Sequence, residues 1–440
     1  MDRSEKAALE VLSSARFWDR DLFETLLTKF DTGYPRHLFT ELMKHSFINE
    51  TFIGGKAIYS IHQLMSKNLQ DFQDEEDRQR VHEYLFEYYS GQLPEKEAKI
   101  ISEQNKTAIR EAFYHQNEHK DITELSVWFY DVAPVFNRNA QYNLLVDLYK
   151  KLLILQEEVL DSNHTYLATT CYRLAGLYQD QGKYAEAEPL YLRDLKISEE
   201  VLGSDHPDVA TTCNNLAGLY RIQGKYGEAE LLFMRALKIW EEVLGSDHPD
   251  VATTCNNLAG LYRIQGKYGE AELLFMRALK IWEEVLGPNH KGVATTCNNL
   301  ANIYRDRGKY TEAEPLYIRA LKIEEEVLGP NHKGVAIIRD NLAVLYNYQG
   351  KYAEAEQIFI GDLEIFEETF GPNHEEVAWT CHNLANLYRD QSKYSQAEPL
   401  YIRALKIRKE VLGPNHPDVA TTCKDLAELY RAQGKYAEAE

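Results

Sequence analysis

Two rows of side chains suited to molecular recognition run through this 440-residue chain at one spacing. The first reads Arg173, Asn215, Asn257, Asn299, Asn341, Asn383 and Asp425. The second, six residues further on, reads Gln179, Arg221, Arg263, Arg305, Asn347, Arg389 and Arg431. Members of each row stand 42 residues apart. A carboxamide presents a donor and an acceptor together, as one peptide unit of an extended chain requires. A guanidinium presents a planar fork that matches a carboxylate. The five asparagines Asn215, Asn257, Asn299, Asn341 and Asn383, with Arg221, Arg263, Arg305, Arg389 and Arg431, therefore predict a site for an extended peptide with acidic residues. The same residues also have a structural use, with Asn bridging neighbouring helices and Arg pairing with the abundant Glu.

Two further rows could do chemistry but do not converge. His164, His206, His248, His290, His332, His374 and His416 keep the same spacing, one per period. A whole period between successive imidazoles supplies no metal-ligand set, so these histidines are expected to start helices, and no metal or other cofactor is expected. All six cysteines (Cys171, Cys213, Cys255, Cys297, Cys381, Cys423) share one place in the period, and Arg339 takes that place in the fifth. Equivalent helices in a stack lie about 8–10 Å apart, beyond the roughly 7 Å that a disulfide tolerates between Cα atoms. Small apolar helix residues in a reducing compartment are the expectation. No nucleophile–base pair or convergent carboxylate pair stands outside the rows, and an enzyme is not predicted.

A fixed period of this size means stacked supersecondary units, which build long binding surfaces more readily than closed pockets. The formal charge of -20 opposes nonspecific binding to nucleic acid or to an anionic membrane, because both need a basic face. No apolar run approaches the roughly 20 residues that cross a bilayer. The N-terminus, MDRSEKAALE, lacks the basic-then-apolar order of a secretory signal. A cytosolic protein is expected.

Residues 209–250 show what one unit is. Cys213, Leu216, Ala217 and Tyr220 fall at i, i+3, i+4 and i+7, one face of a helix. Gly224-Lys225 breaks the pattern, and Tyr226, Ala229, Phe233, Ala236, Leu237 and Trp240 line one face of a second helix. Trp240, Trp282 and Phe366 share one position there and are expected to pack. Gly245 stands where a helix ends, and Asp205, followed by His206-Pro207-Asp208, reads as the next N-cap.

This hairpin resembles the tetratricopeptide repeat: Cys213-x2-Leu216-Ala217-x2-Tyr220, then Ala229-x3-Phe233 and Ala236, follow its pattern with Cys in place of Trp. The period of 42 exceeds the usual value of about 34. The longer unit, with its L-N-N-L-A-x-L-Y, G-K-Y-x-E-A-E and G-P-N-H-P-D phrases, is similar to the kinesin light chain type. The resemblance implies an all-α, right-handed superhelical solenoid over residues 125–440. Its units are 125–166 (degenerate, with Pro134 as an expected kink), 167–208, 209–250, 251–292, 293–334, 335–376, 377–418 and a partial 419–440. It also implies that first helices line a concave groove, where Asn side chains hold the backbone of a bound peptide. Residues 209–245 and 251–287 are identical, which indicates a recent duplication. The array stops in mid-motif at Glu440, so a longer natural protein is expected.

Residues 1–70 follow another grammar. Helical patterns at 4–14, 19–30 and 35–45 precede strand-like runs at 46–51 and 56–61, joined through Gly54-Gly55, and a helix starts near His62. Three helices and a hairpin predict a small winged-helix domain with Phe17, Leu22, Phe23, Leu26, Leu38 and Leu42 in its core. DNA binding is the minor alternative, because the third helix offers only Arg36 and Lys44 as reliable cations. The order of elements, and the phrase Tyr59-Ser60-Ile61-His62-Gln63-Leu64-Met65, resemble the winged helix of STAND (NB-ARC-type) ATPases. That resemblance implies that His62 senses a bound nucleotide when an NTPase module is present, with Gln63 departing from the usual Asp. No G-x4-G-K-[ST] phrase occurs in the chain. Residues 71–124 read as a helical connector. The combined expectation is a protein-binding scaffold, the sensor arm of a STAND-type switch without its NTPase part here. A free-standing kinesin light chain-like cargo adaptor is the alternative, although the N-terminus lacks sustained heptads.

Overall fold

The computed structural model describes residues 2–53, 56–414 and 417–439, so the Gly54-Gly55 turn and His416 lie outside the described residues. The chain forms two compact units, Met1–Ser204 and Asp205–Glu440. No described helix is long and apolar enough to cross a membrane.

The first unit opens with α1 (Arg3–Ser14), α2 (Arg20–Lys29) and a single-turn α3 (Phe39–Leu42), followed by strands β1 (Ile48–Ile53) and β2 (Lys56–Ile61). Then come α4 (Gln63–Phe72), α5 (Glu75–Ser90), α6 (Glu103–His119), α7 (Ile122–Arg138), α8 (Tyr142–Val159), α9 (Thr165–Asp180) and α10 (Tyr184–Leu202). Caps explain the starts: Asp2 accepts from the Glu5 N–H and Asp19 from the Leu22 N–H, each satisfying a donor with no partner inside its helix. The two strands pair antiparallel, with Ile48 opposite Ile61 and Thr51 opposite Ile58.

Three local expectations are corrected. The helix predicted over 35–45 is a 3₁₀ turn, Arg36–Leu38, followed by the one-turn α3, because Leu38 sits at φ -89°, ψ 16°, outside helical geometry. The first strand lies two residues later than expected. The core aromatic is Trp18, fully buried, and not Phe17. Trp18 exchanges two backbone hydrogen bonds with Tyr59 at 2.9 and 2.8 Å. Neighbouring residues in such a bridge face opposite sides, so burying Trp18 turns Phe17 outward. Leu22, Phe23, Leu26 and Leu42 are buried as expected.

The second unit is a run of hairpins: α11 (Pro207–Ile222) with α12 (Tyr226–Leu244), α13 (Pro249–Ile264) with α14 (Tyr268–Leu286), and α15 (Lys291–Asp306) with α16 (Tyr310–Leu328). α17 (Lys333–Tyr348) with α18 (Tyr352–Phe370), α19 (Glu375–Asp390) with α20 (Tyr394–Leu412), and finally α21 (Pro417–Ala432) complete it. Each complete hairpin joins a 16-residue first helix to a 19-residue second one, which accounts for the long period. Val209, Ala210, Cys213, Leu216 and Ala217 bury against Ala229, Phe233, Ala236 and Ile239. The hairpin over 125–166 is α7 with α8, and α7 runs unbroken through Pro134.

The histidines start helices, and they displace the predicted aspartate. His206 itself is the N-cap, its Nδ1 accepting from the Asp208 N–H at 3.1 Å, with Pro207 at the first helical position. His164, His248, His290, His332 and His374 do the same. Each second helix ends on a glycine such as Gly245, at φ 89°, a region L-residues avoid. The turn inside each hairpin also needs positive φ, as at Gly224 (75°), but the sixth repeat uses Ser392 at φ 58°. A left-handed residue with a Cβ costs about 1 kcal/mol. Ser392→Gly is therefore expected to stabilise the array by about that amount, read as a higher urea midpoint for the sixth-repeat helices in amide hydrogen exchange.

Candidate functional site: the first-helix face

First helices of successive repeats in the second unit touch one another, so side chains 43 residues apart meet across each junction. Asn257 Nδ2 donates to Asn214 Oδ1 at 3.2 Å, Asn299 to Asn256 at 3.2 Å and Asn341 to Asn298 at 3.1 Å. One N–H of each of these three amides thus belongs to an inter-repeat ladder, leaving its oxygen and second N–H. Asn215 is half-buried at the head of the row. The ladder breaks at Asp340, which accepts instead from Thr380 Oγ1 at 3.1 Å, and Asn383 Nδ2 is buried without a partner. It ends in a contact of His382 Nε2 with the Asp425 carboxylate at 3.1 Å. Burial raises the Asp425 carboxyl, and His382 and Arg389 outweigh it, holding the group below its ordinary range.

The arginine row meets acids in the next column. Arg263 reaches Asp306 of the following repeat at 2.8 Å, and Asn347 reaches Asp390 in the same way at 2.8 Å. Arg305 bonds Asp306 at 3.0 Å, and Arg389 lies near Asp390, Asp425 and Glu428. Arg221 differs. The residue 43 positions on is Ile264, where Asp306 and Asp390 stand in their junctions. Among the described residues no ion pair or hydrogen bond reaches the Arg221 guanidinium, and its Nε is buried without a partner. Burial and the Arg263 charge push its pKa down from the ordinary value. Arg431 is exposed on α21.

The turn between the two helices of each hairpin explains the G-K-Y-x-E-A-E phrase. Its last glutamate clasps the next repeat: Glu230 accepts from Tyr262 Oη at 3.0 Å and from Lys267 Nζ at 3.0 Å. Glu314 accepts from Gln349 at 3.1 Å and Lys351 at 3.0 Å, and Glu272 from Tyr304 at 2.9 Å. Burial raises the Glu230 carboxyl, but the Lys267, Tyr262 and Gln265 donors more than offset it, so it stays ionised to lower pH. Burial and Glu230 push the Tyr262 phenol up to about 12. A second compensation runs inside the hairpins: Tyr317 donates to Asn302 at 2.7 Å, whereas Phe233 and Phe275 face Gly218 and Gly260 at the equivalent positions.

The fifth repeat is built differently. Arg339, in place of a cysteine, pairs with the buried Asp362 at 2.6 Å. Asp340, fully buried, lies within hydrogen-bonding reach of Asp362. Burial raises both carboxyls, Asp362 to about 6. Elsewhere an arginine from the second helix fills this space: Arg319 approaches the Cys297 thiol and pairs with Glu283 at 2.6 Å. Gly361 takes that arginine's place, so the guanidinium has moved from the second helix to the first. Five of the cysteines are buried, and burial pushes the thiols of Cys171, Cys255, Cys297 and Cys381 up to about 11; Cys423 is exposed.

His62 is exposed at the start of α4, its backbone N–H bonded to the Phe47 carbonyl at 2.7 Å. The ladder's partner row (Asn214, Asn256, Asn298), the acid column (Asp306, Asp390) and the clasp were missed in the sequence. The signal of the first two is an offset of 43 and not 42, visible only once first helices are known to touch, and that of the clasp is a set of offsets of 32, 35 and 37 from its glutamate.

The sequence model of the tetratricopeptide repeat family matches residues 166–242, 208–284, 253–305, 292–360, 349–410 and 382–440. No curated protein is matched in sequence. Among solved structures, a STAND protein with a tetratricopeptide repeat sensor from Pyrococcus horikoshii is similar over 99% of this chain, at 16% identity and a TM-score of 0.55. The chain spans 60% of that structure's length. A Rap protein complexed with competence and sporulation factor is similar over 80% of this chain and 92% of its own, at 18% identity and a TM-score of 0.53. The nearly identical repeats of a putative kinesin light chain from Podosopora anserina cover 47% of this chain and 98% of their own, at 24% identity and a TM-score of 0.41. With the family pattern recurring from residue 166 to the end on the hairpins described above, the chain belongs to the tetratricopeptide repeat family, a fold of protein-interaction scaffolds.

Proposed function

We propose that this chain is a non-enzymatic scaffold that holds an extended, acidic peptide segment along its first-helix face. The observation that carries the reading is Arg221, a half-buried cation that the fold leaves without an acid while Arg263, Arg305 and Arg389 have theirs. A ligand carboxylate supplies what Ile264 does not. The second N–H and the oxygen of Asn257, Asn299 and Asn341 then serve the ligand backbone, with Asn215 and Asn383 at the two ends of the amide row, and Arg431 extends the cationic row. The Rap structure, which carries a bound factor on a similar fold, is consistent with this use. Buried thiols suit a reducing, cytosolic setting.

The same reading places the scaffold as the sensor arm of a STAND-type switch. Its support is the order of two helices, a short third helix and a hairpin ahead of α4, taken as a winged helix, with His62 exposed where a nucleotide module would dock. A one-turn α3 is too short to lie in a major groove, which disfavours DNA binding. The test of the groove is the double substitution Asn257→Ala/Asn299→Ala, scored by anisotropy against a fluorescein-labelled library of Glu-bearing ten-residue peptides. Binding should weaken by about fivefold or more with the unfolding midpoint held within about 1 kcal/mol. Loss of the folded array instead would make the amides purely structural. The intact mass of the native protein tests the switch: a much larger chain that binds ATP or ADP supports it, and a mass near 50.9 kDa supports an adaptor.

A further inference from the structure

The first unit holds a pocket of about 320 Å³ whose walls come from three separate stretches of chain. Arg16 enters from the segment after α1, Arg110 from α6, and Lys151 from α8. Three cations converge there in a chain of net charge -20, with Asp147 as the one carboxylate in the lining. Among the described residues Arg110 and Lys151 are exposed and make no direct ion pair or hydrogen bond; with Arg16 their charges favour ionisation of the Glu111 carboxyl, which burial nonetheless pushes up to about 7. Arg16 lies 5.1 Å from the centre of the Tyr114 ring and 3.5 Å from Glu111, which fixes its guanidinium at the pocket wall. Beside the cations the lining includes apolar side chains: Phe113 is buried, and Ile154 is 55% exposed. The volume lies at the lower end of small-molecule sites, about 300–1,000 Å³.

We propose that this pocket binds a small organic anion, a carboxylate or phosphate on an apolar or aromatic body, with Arg16, Arg110 and Lys151 on the anionic group and Phe113 and Ile154 on the body. The chemistry follows from the lining. Three cations in a lining that holds one carboxylate favour an anionic head, and an apolar wall within the same small pocket favours a ligand with a hydrophobic part over a free ion. Because the walls belong to the N-terminal module, the connector and the first repeat hairpin, an occupant ties these three segments together and stabilises the folded first unit by mass action. The site does not rest on the peptide groove and is tested separately from it.

The experiment uses the full chain with three probes: 1-naphthoate, 1-naphthyl phosphate and the neutral 1-naphthalenemethanol, each titrated by ligand-observed NMR. At least one anion is expected to bind about tenfold or more tighter than the neutral alcohol, and to lose about tenfold on Arg110→Ala/Lys151→Ala. Both side chains are exposed and unpaired, so the double variant should keep the wild-type circular dichroism spectrum and unfolding midpoint. Ile154→Asp should weaken the same probe by removing the apolar contact. Preference between naphthoate and naphthyl phosphate distinguishes a carboxylate from a phosphate ligand. Equal affinity for all three probes, no binding of either anion, or undiminished binding by the double variant would overturn the proposal.

Discussion

Replacing Arg339 by leucine is expected to destabilise the fifth and sixth repeats by about 3 kcal/mol, because it leaves Asp362 buried without its cation. Rewriting the whole cluster should do the reverse. The four changes Arg339→Cys, Asp340→Asn, Gly361→Arg and Asp362→Ala restore the residues found at these places in the fourth repeat. They return the guanidinium to the second helix, opposite Glu325 as Arg319 stands opposite Glu283, and remove two buried carboxyls. Replacing buried ionic clusters by well-packed groups is commonly neutral or stabilising by about 1–4 kcal/mol, and that is the expected outcome at neutral pH. Amide hydrogen exchange along Lys333–Asp390 is the suitable measurement, since repeat arrays unfold locally.

The pH dependence carries a sign. Both aspartates have folded pKa values raised above the unfolded value, so the folded chain keeps protons that the unfolded chain releases. Stability from these groups is therefore greatest in acid. It falls as pH rises from about 4 through about 6 for Asp362, and further for Asp340. The advantage of the fourfold variant should be small near pH 4 and grow across that window. An advantage independent of pH would mean that the two carboxyls are ionised in the native fold.

The second large effect concerns ligand. Arg221→Glu is expected to weaken Glu-bearing peptides by about tenfold or more, because it places a like charge where a carboxylate should dock. Arg305→Ala should cost less, since Arg305 is already satisfied by Asp306. Arg221→Met separates binding from folding. It removes a desolvated cation beside Arg263, so stability should hold or rise while binding falls. Comparing the Glu library with its Gln counterpart isolates the charge. Equal binding of both by the native chain would remove the acidic peptide from the reading, whatever the variants do.

The hairpins were legible because their signals are local. Cys213, Leu216, Ala217 and Tyr220 mark a helix face within two turns, and Gly224 and Gly245 mark positions of positive φ that glycine takes at least cost. The errors arose where local patterns compete. Asp205 is a good capping residue, but His206 occupies the capping position, and only the helix start decides between adjacent candidates. Residues 35–45 carry a helical pattern, yet the chain turns at Leu38 so that Phe39 and Leu42 both reach the core.

The sequence by itself determined the repeat family, the length of each hairpin and the inert character of most cysteines, because each follows from spacing within one period. Tertiary structure decided which recognition side chains remain available. Asn257, Asn299 and Asn341 share their donors with neighbours one helix away, Arg263 meets Asp306, and Arg221 meets no acid. Hydrogen bonds and charges are satisfied by whatever lies within about 3–4 Å, and only the stacking of one repeat on the next sets those distances.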